Sequence, residues 1–402
     1  MNFTSLFERL PFAISSAAAF YALVVCALLL PKQREWLLVR LSPPMPSTGL
    51  HFGALDAFRG LAALFVATFH IYWWPQPAFD SAAEIFPFIR HGQKAVPIFA
   101  ALSGFLIYRS VRNYATAADL AQYATRRFLR IVPLYIVSVI ALLVLGHFRG
   151  STSLFKNLLA EIFMVRAIGF PNYVNPPVWS LYVEVLFYAV LPAFVVATRG
   201  WVVRASLASF VLLALIDVPG PQELALWKYF LAGIVASEML DDLRDLKKPS
   251  LFTSCIFAGV VLLVADFCGM NWFCRVAKDA CGTEFTTGLA LAVMFLMVGS
   301  VGSSTANRLL SAAPLRLLGA ISYSVFIWHS LIIVASFPLR FDGKGGYQIV
   351  APIAPMSLWA IPLVMIPAVL FWATISFVFI EKPFLAKRPL AVAPRGAGGQ
   401  VA

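Results

Sequence analysis

Two residues that are costly in lipid, Arg59 and His70, lie eleven positions apart in the apolar stretch LDAFRGLAALFVATFHIYWW. Eleven steps at about 100° each make roughly three helical turns, so a helix brings both side chains to one face, about 16 Å apart along its axis. That is about half of a hydrocarbon core of roughly 30 Å. Imidazole titrates near neutral pH and can take a proton from an alcohol without holding a fixed charge in lipid, which makes His70 a candidate general base. The plainer alternative is a core histidine hydrogen-bonded to a neighbouring helix; Arg59 on the same face argues for a lined path. Asp56 stands where the helix dipole favours a carboxylate, three residues before Arg59 and within pairing reach.

Other ionisable groups stand out in apolar runs: Glu184 in VWSLYVEVLFYAVLPAFVV, His329 in LGAISYSVFIWHSLII and, at the end of the last run, Glu381 in FIEKPF. Each costs about 2.5–3.5 kcal/mol on insertion scales and so calls for a partner or a role. Arg126, Arg127 and Arg130 form RRxxR at the entry to a helix. Arg127 and Arg130 would share a face and could grip a phosphate-rich ligand, while a basic flank also serves to fix topology and bind anionic headgroups. Trp179 and Ser180 precede Glu184. An interfacial indole anchors a helix whatever its function, and Ser180 lacks the context of a hydrolase nucleophile. Tyr323 and His329, six apart, do not closely share a face, and either could hydrogen-bond within a bundle. Judged alone, Glu381 beside Lys382 reads as an interfacial ion pair.

The elements that must position these groups are membrane spans. The 402 residues are 60% hydrophobic and 12% charged, with mean hydropathy +0.83, which excludes a water-soluble globule. The net charge of +12 fits basic cytoplasmic loops and gives no reason to expect nucleic acid. The expected fold is all-α, a polytopic helix bundle of about eleven spans, the first of them an uncleaved run at about 11–30. Lys32, Arg34 and Arg40 before the Arg59 stretch, then Arg109, Arg112 and the RRxxR arginines after the next span, place the Arg59 end in the cytoplasm and His70 towards the outside. The N-terminus is then outside and the C-terminus cytoplasmic. Ser103-Gly104 supplies small residues for close helix approach, and Pro177 suits the start of the following helix. Cys268, Cys274 and Cys281 share one expected outer loop, where one disulfide or free thiols are equally consistent, and no Cys/His spacing suggests a metal. The tail from Ala391 reads as disordered.

FRGLAALFVATFH resembles the Arg-x10-His element of the type-3 membrane acyltransferase family, whose members acylate O-antigen, exopolysaccharide and Nod factor. VPIFAALSGFLIY, RRFLRIVPLY, NPPVWSLYVEVLFYAVLP, LGAISYSVFIWHSLII and FVFIEKPF are similar, in order, to further blocks of that family over about residues 50 to 388. The resemblance implies three parts: 1–49, an extra N-terminal span and cytoplasmic linker; 50–388, an acyltransferase domain of ten family-like helices; and 389–402, a cytoplasmic tail. Three departures accompany it: the extra span, Ala95-Val96-Pro97-Ile98 in place of an acidic residue before the second block's apolar run, and the lack of a C-terminal extracytoplasmic esterase-like domain.

The implied activity is acyl transfer, most simply acetyl, from cytoplasmic acyl-CoA as co-substrate to a hydroxyl of an extracytoplasmic or lipid-linked glycan at a bacterial inner membrane, with no permanently bound cofactor. Carried onto this sequence, His70 is the acid/base, Arg59 lies on the donor's route, Arg126, Arg127 and Arg130 meet the CoA phosphates, and Glu381 and Trp179 are further family positions. With Ser180, Glu184, Tyr323 and His329, Trp179 completes the expected substrate contacts. The rival reading is a secondary transporter or flippase for a lipid-linked sugar, since intramembrane charges also line transport paths, although no pair of matching broken helices appears. An inactive partner subunit is a third reading, and Arg59, His70 and Glu381 argue against it.

Overall fold

The computed structural model describes residues 11–42, 52–74, 86–114, 116–148, 175–198, 200–215, 222–268, 285–337, 339–341, 347–349 and 360–387. These are helical except for connecting turns and one short antiparallel strand pair, so the fold is an all-α membrane helix bundle. In chain order the helices are α1 (Pro11–Leu29), α2 (Pro31–Leu41), α3 (Gly53–Trp73), α4 (Val96–Val111), α5 (Ala117–Phe148), α6 (Trp179–Ala197), α7 (Val202–Leu215), α8 (Gln222–Asp245), α9 (Pro249–Phe267), α10 (Thr287–Gly302), α11 (Ser304–Leu310), α12 (Ala313–Ala320), α13 (Ser322–Ser336), α14 (Ala360–Ser376) and α15 (Lys382–Ala386). Each of the eleven expected apolar runs contains or overlaps one of them. Among the described residues five helical stretches are long and apolar enough to cross a membrane, or up to seven when the bent pairs α10–α11 and α12–α13 each count as one span.

Helix α3 is central, packing against α12, α13, α4 and a 3-10 segment over Pro87–Ala95 that leads into α4. Small residues set how closely these helices meet. A Cβ on Gly60 would come within 2.7 Å of the Gly319 amide nitrogen, and one on Gly319 within 2.4 Å of the Asp56 carbonyl oxygen, so α12 crosses α3 backbone to backbone beside Arg59. The expected close approach at Ser103-Gly104 is present: a Cβ on Gly104 would lie 2.1 Å from the Phe230 carbonyl oxygen on α8.

The loop expected between 302 and 316 is instead helical, forming α11 and the start of α12. Ser303 caps α11 by accepting from the Ala306 amide, and Pro314 lies in the first turn of α12, where its missing amide is no loss. Similarly, 176–178 makes a 3-10 turn, so the α-helix begins at Trp179 rather than Pro177. The strands Leu339–Phe341 and Tyr347–Ile349 were not expected. Helix α1 packs along α14, where Trp372 stacks on Phe12 at 5.6 Å and donates its indole N–H to Ser16 at 3.0 Å. Cys268 is an exposed free thiol; Cys274, Cys281 and the tail lie outside the described residues.

Candidate active site

At one end of α3, His70 meets His329 of α13. His70 Nδ1 lies 3.0 Å from the Val66 carbonyl oxygen and 3.3 Å from His329 Nε2, and His329 Nδ1 lies 3.3 Å from the Val325 carbonyl oxygen. His329 is fully buried. Trp74 walls the pair, with its ring 5.1 Å from His70 and 6.4 Å from His329, nearly parallel to the latter. Next to His329, Ser330 donates to the Asn175 amide oxygen at 2.6 Å, and Asn175 donates to the Ile327 carbonyl at 3.3 Å. Asn175 thus ties the entry of α6 to α13. It was missed in the sequence, where its signal was the NPP turn.

At the other end of α3 lies a charged cluster. Arg59 pairs with Asp56 at 3.3 Å, and the charges of Arg130 and Glu184 are within electrostatic reach of it. The Glu184 carboxylate accepts hydrogen bonds from Ser103 of α4 and from Tyr188, one turn along α6. Glu381 accepts from Arg130 and, at 2.9 Å, from Ser324. The Tyr323 ring faces Arg130 at 5.6 Å, and its hydroxyl donates to the Ile131 carbonyl at 2.8 Å. Arg109 sits against Phe52, just before α3, so it lies at the Arg59 end.

The expected ion pair of Glu381 with Lys382 is not formed. Adjacent residues of a helix point about 100° apart, and the π-helical turn Phe377–Glu381 aims Glu381 into the bundle. Lys382 instead donates to the Val39 and Arg40 carbonyls at the end of α2, at 2.9 and 2.8 Å.

The three RRxxR arginines go separate ways. Arg130 is held by Glu381, and Arg126 donates to the Tyr114 hydroxyl. Arg127 sits between the Tyr123 and Tyr188 rings, at 5.6 and 5.4 Å, and its Nε has no hydrogen-bond partner among the described residues. With these tyrosines it lines an otherwise apolar groove of about 700 Å³ between α5 and α6. Tyr188 stands both in that groove and against Glu184, so the groove's inner wall is continuous with the charged cluster. Trp179 packs near Phe285 at 6.2 Å, and Ser180 donates to the Pro177 carbonyl at 3.3 Å, closing the first turn of α6.

Further ionisable groups are buried in the bundle beyond those conspicuous in the sequence. Lys94 and Asp266 are buried and paired at 2.5 Å, with Thr286 as a second donor to the carboxylate, and Lys228 is buried in α8. Lys94 and Asp266 stand near the ends of apolar runs and Lys228, in LWKYF, inside one, and none of the three is conspicuous among the sequence's candidate site residues. Among the described residues no group of three or more His, Cys, Asp or Glu side chains could hold a metal ion.

A family model described as an acyltransferase domain matches residues 52–380. The chain is 28% identical over 338 residues to the exopolysaccharide production protein ExoZ of Rhizobium meliloti, covering 77% of this chain and 95% of that protein. It is 24% identical over 371 residues to the peptidoglycan O-acetyltransferase OatA of Listeria monocytogenes, covering 82% of this chain. The chain spans 55% of OatA's length. No solved structure matches.

Proposed function

The chain belongs to the acyltransferase domain family, and on that premise we propose that it is an integral membrane O-acyltransferase moving an acyl group, in the first instance acetyl, from cytoplasmic acyl-CoA to a hydroxyl of an extracytoplasmic or lipid-linked glycan. The glycan class follows the names of the relatives, one acting in exopolysaccharide production and one on peptidoglycan. Family membership favours this reading over a transporter. The proposed setting is the bacterial inner membrane, with Arg59 towards the cytoplasm, the N-terminus outside and the C-terminus inside.

The observation that carries the proposal is that one helix, α3, joins the charged cluster around Arg59 to the imidazole pair at His70. In this reading Arg127 meets the CoA phosphates at the groove it lines, and Arg126 and Arg130, held by Tyr114 and Glu381 outside the groove's lining, adjoin the donor from beside it. Arg59 lies along the path of the thioester. Trp179, Ser180, Glu184 and Tyr323 border the substrates' route.

His70 Nε2 takes the proton of the acceptor hydroxyl while its oxygen attacks the thioester carbonyl carbon. The C–S bond breaks, and the imidazolium returns the proton to the departing thiolate. Every group is then restored. General-base removal costs about 10²- to 10⁴-fold.

Membranes from cells lacking the endogenous gene are incubated with labelled acetyl-CoA, and label in envelope glycan is measured. The wild type is expected to transfer label, and correctly inserted His70→Ala protein to lose about 10²-fold or more. Wild-type transfer by His70→Ala overturns the mechanism. A transporter would leave the glycan unlabelled.

A further inference from the structure

The Val66 and Val325 carbonyl oxygens can only accept, so the ring nitrogens facing them, Nδ1 of His70 and Nδ1 of His329, both carry hydrogen. A neutral imidazole has one N–H, so His329 Nε2 is a bare acceptor, and it lies 3.3 Å from the His70 Nδ1–H. The N–H of His70 is thus shared between a carbonyl one turn back and the second imidazole. Among the described residues nothing hydrogen-bonds His70 Nε2, which keeps its lone pair.

From this arrangement we propose that His329 is a positioning residue for His70: it accepts the Nδ1–H, holds the ring in the tautomer whose Nε2 is basic, and stabilises the imidazolium once Nε2 has taken the hydroxyl proton. This rests on His70 acting as the general base. It gives His329 a role other than the substrate contact expected from the sequence.

The surroundings support it. His329 is fully buried, its ring stacks beside Trp74 and lies 5.9 Å from Phe326, and its own Nδ1 is tied to its helix. Such a ring cannot swing to follow a substrate. Among the described residues no carboxylate hydrogen-bonds either imidazole, so the acceptor that elsewhere would be an aspartate is here a neutral ring, which avoids placing a fixed anion inside the bundle. Charging His70 makes the shared hydrogen bond charge-assisted, and it therefore strengthens as the proton arrives.

The test measures label transfer from acetyl-CoA, at varied donor concentration, to glycan in membranes carrying each variant. His329→Leu is expected to lower kcat about 10- to 100-fold with the KM for acetyl-CoA within about twofold, because the base is disoriented rather than the donor released. His329→Gln, whose amide oxygen can accept the same N–H, should recover at least about tenfold of that loss. In a His70→Ala background, adding His329→Leu should change the residual rate by less than about twofold, because a residue acting through His70 has nothing left to act on.

Wild-type kcat in His329→Leu, or equal losses in both backgrounds, overturns the proposal. Where His329→Leu is not extracted as a folded protein, His329→Gln decides: transfer within about tenfold of wild type upholds the role, and a folded but inactive protein overturns it. Full activity in His70→Ala would instead remove the general-base reading itself.

Discussion

The guanidinium of Arg130 on α5 is hydrogen-bonded to the carboxylate of Glu381, 251 positions further along the chain, in a pair whose acidic side chain is 1% exposed and whose basic one is 21% exposed. Breaking such a pair strands one charge in the bundle. Glu381→Gln is expected to lower unfolding stability by about 3 kcal/mol and to lower transfer activity with it. The thermal midpoint of detergent-extracted protein checks this, and an unchanged midpoint would show that Arg130 finds another partner.

Arg127 sits between two tyrosines in the lining of the groove, and among the described residues no carboxylate pairs with it, so its charge is available to a phosphate. Arg127→Ala is predicted to raise the KM for acetyl-CoA about tenfold or more, the loss of one charge-assisted hydrogen bond of roughly 1.5–3 kcal/mol. Arg127→Lys should fall between, since it keeps the charge but gives up the planar stacking. The measurement is initial rate against acetyl-CoA concentration; a change confined to kcat would place Arg127 away from donor binding.

The pair of Lys94 and Asp266 joins the segment before α4 to the end of α9. Lys94→Met alone is expected to cost about 3–5 kcal/mol by leaving Asp266 buried with only Thr286. Combining it with Asp266→Leu should restore much of that loss, because apolar side chains need no partner there. Thermal unfolding of the two single variants and the double variant reads the coupling directly; additive losses would mean that the two charges act independently.

Asp241 lies in the charged last part of α8, in DDLRD, after the helix's apolar stretch. Burial pushes its carboxyl up, but hydrogen bonds and charges from Arg109 and Arg112 outweigh that and hold it below the usual carboxylate range. A depressed folded pKa contributes stability that is fully present above the unfolded value of about 3.9 and disappears as pH falls through the folded value. The stability difference between wild type and Asp241→Asn should therefore stay constant from about pH 5 to pH 8 and shrink only below about pH 4. Unfolding midpoints of both proteins across that range check it; a difference that fades near neutrality would contradict the sign.

The apolar runs were legible because a span needs about twenty apolar residues whatever surrounds it. Arg59, His70, Glu184, His329 and Glu381 were legible for the same reason, being conspicuous against that background. Apart from that of Arg59 with Asp56, three residues before it, their pairings were not. Arg130 and Lys382 both have carboxylates or arginines near them in sequence, yet the bundle sends one to Glu381 and the other to the carbonyls of α2. The meeting of His70 with His329 depends on α13 lying beside α3, a tertiary fact that no local spacing encodes. Lys94 and Asp266 were hidden for the opposite reason: a charge at the edge of an apolar run looks solvated until the segment carrying it folds back over the bundle.

Glu381 ends a π-helical turn. Such a turn amounts to one surplus residue absorbed into a helix, and it rotates everything after it. The direction of the carboxylate is therefore a matter of counting as much as of lettering. A relative with the same Glu-x-Pro letters but one residue fewer between 377 and 380 would swing its acid away from the arginine on α5 by about a quarter turn. Alignments that score letters would judge it intact, although its geometry had been lost to a single deletion.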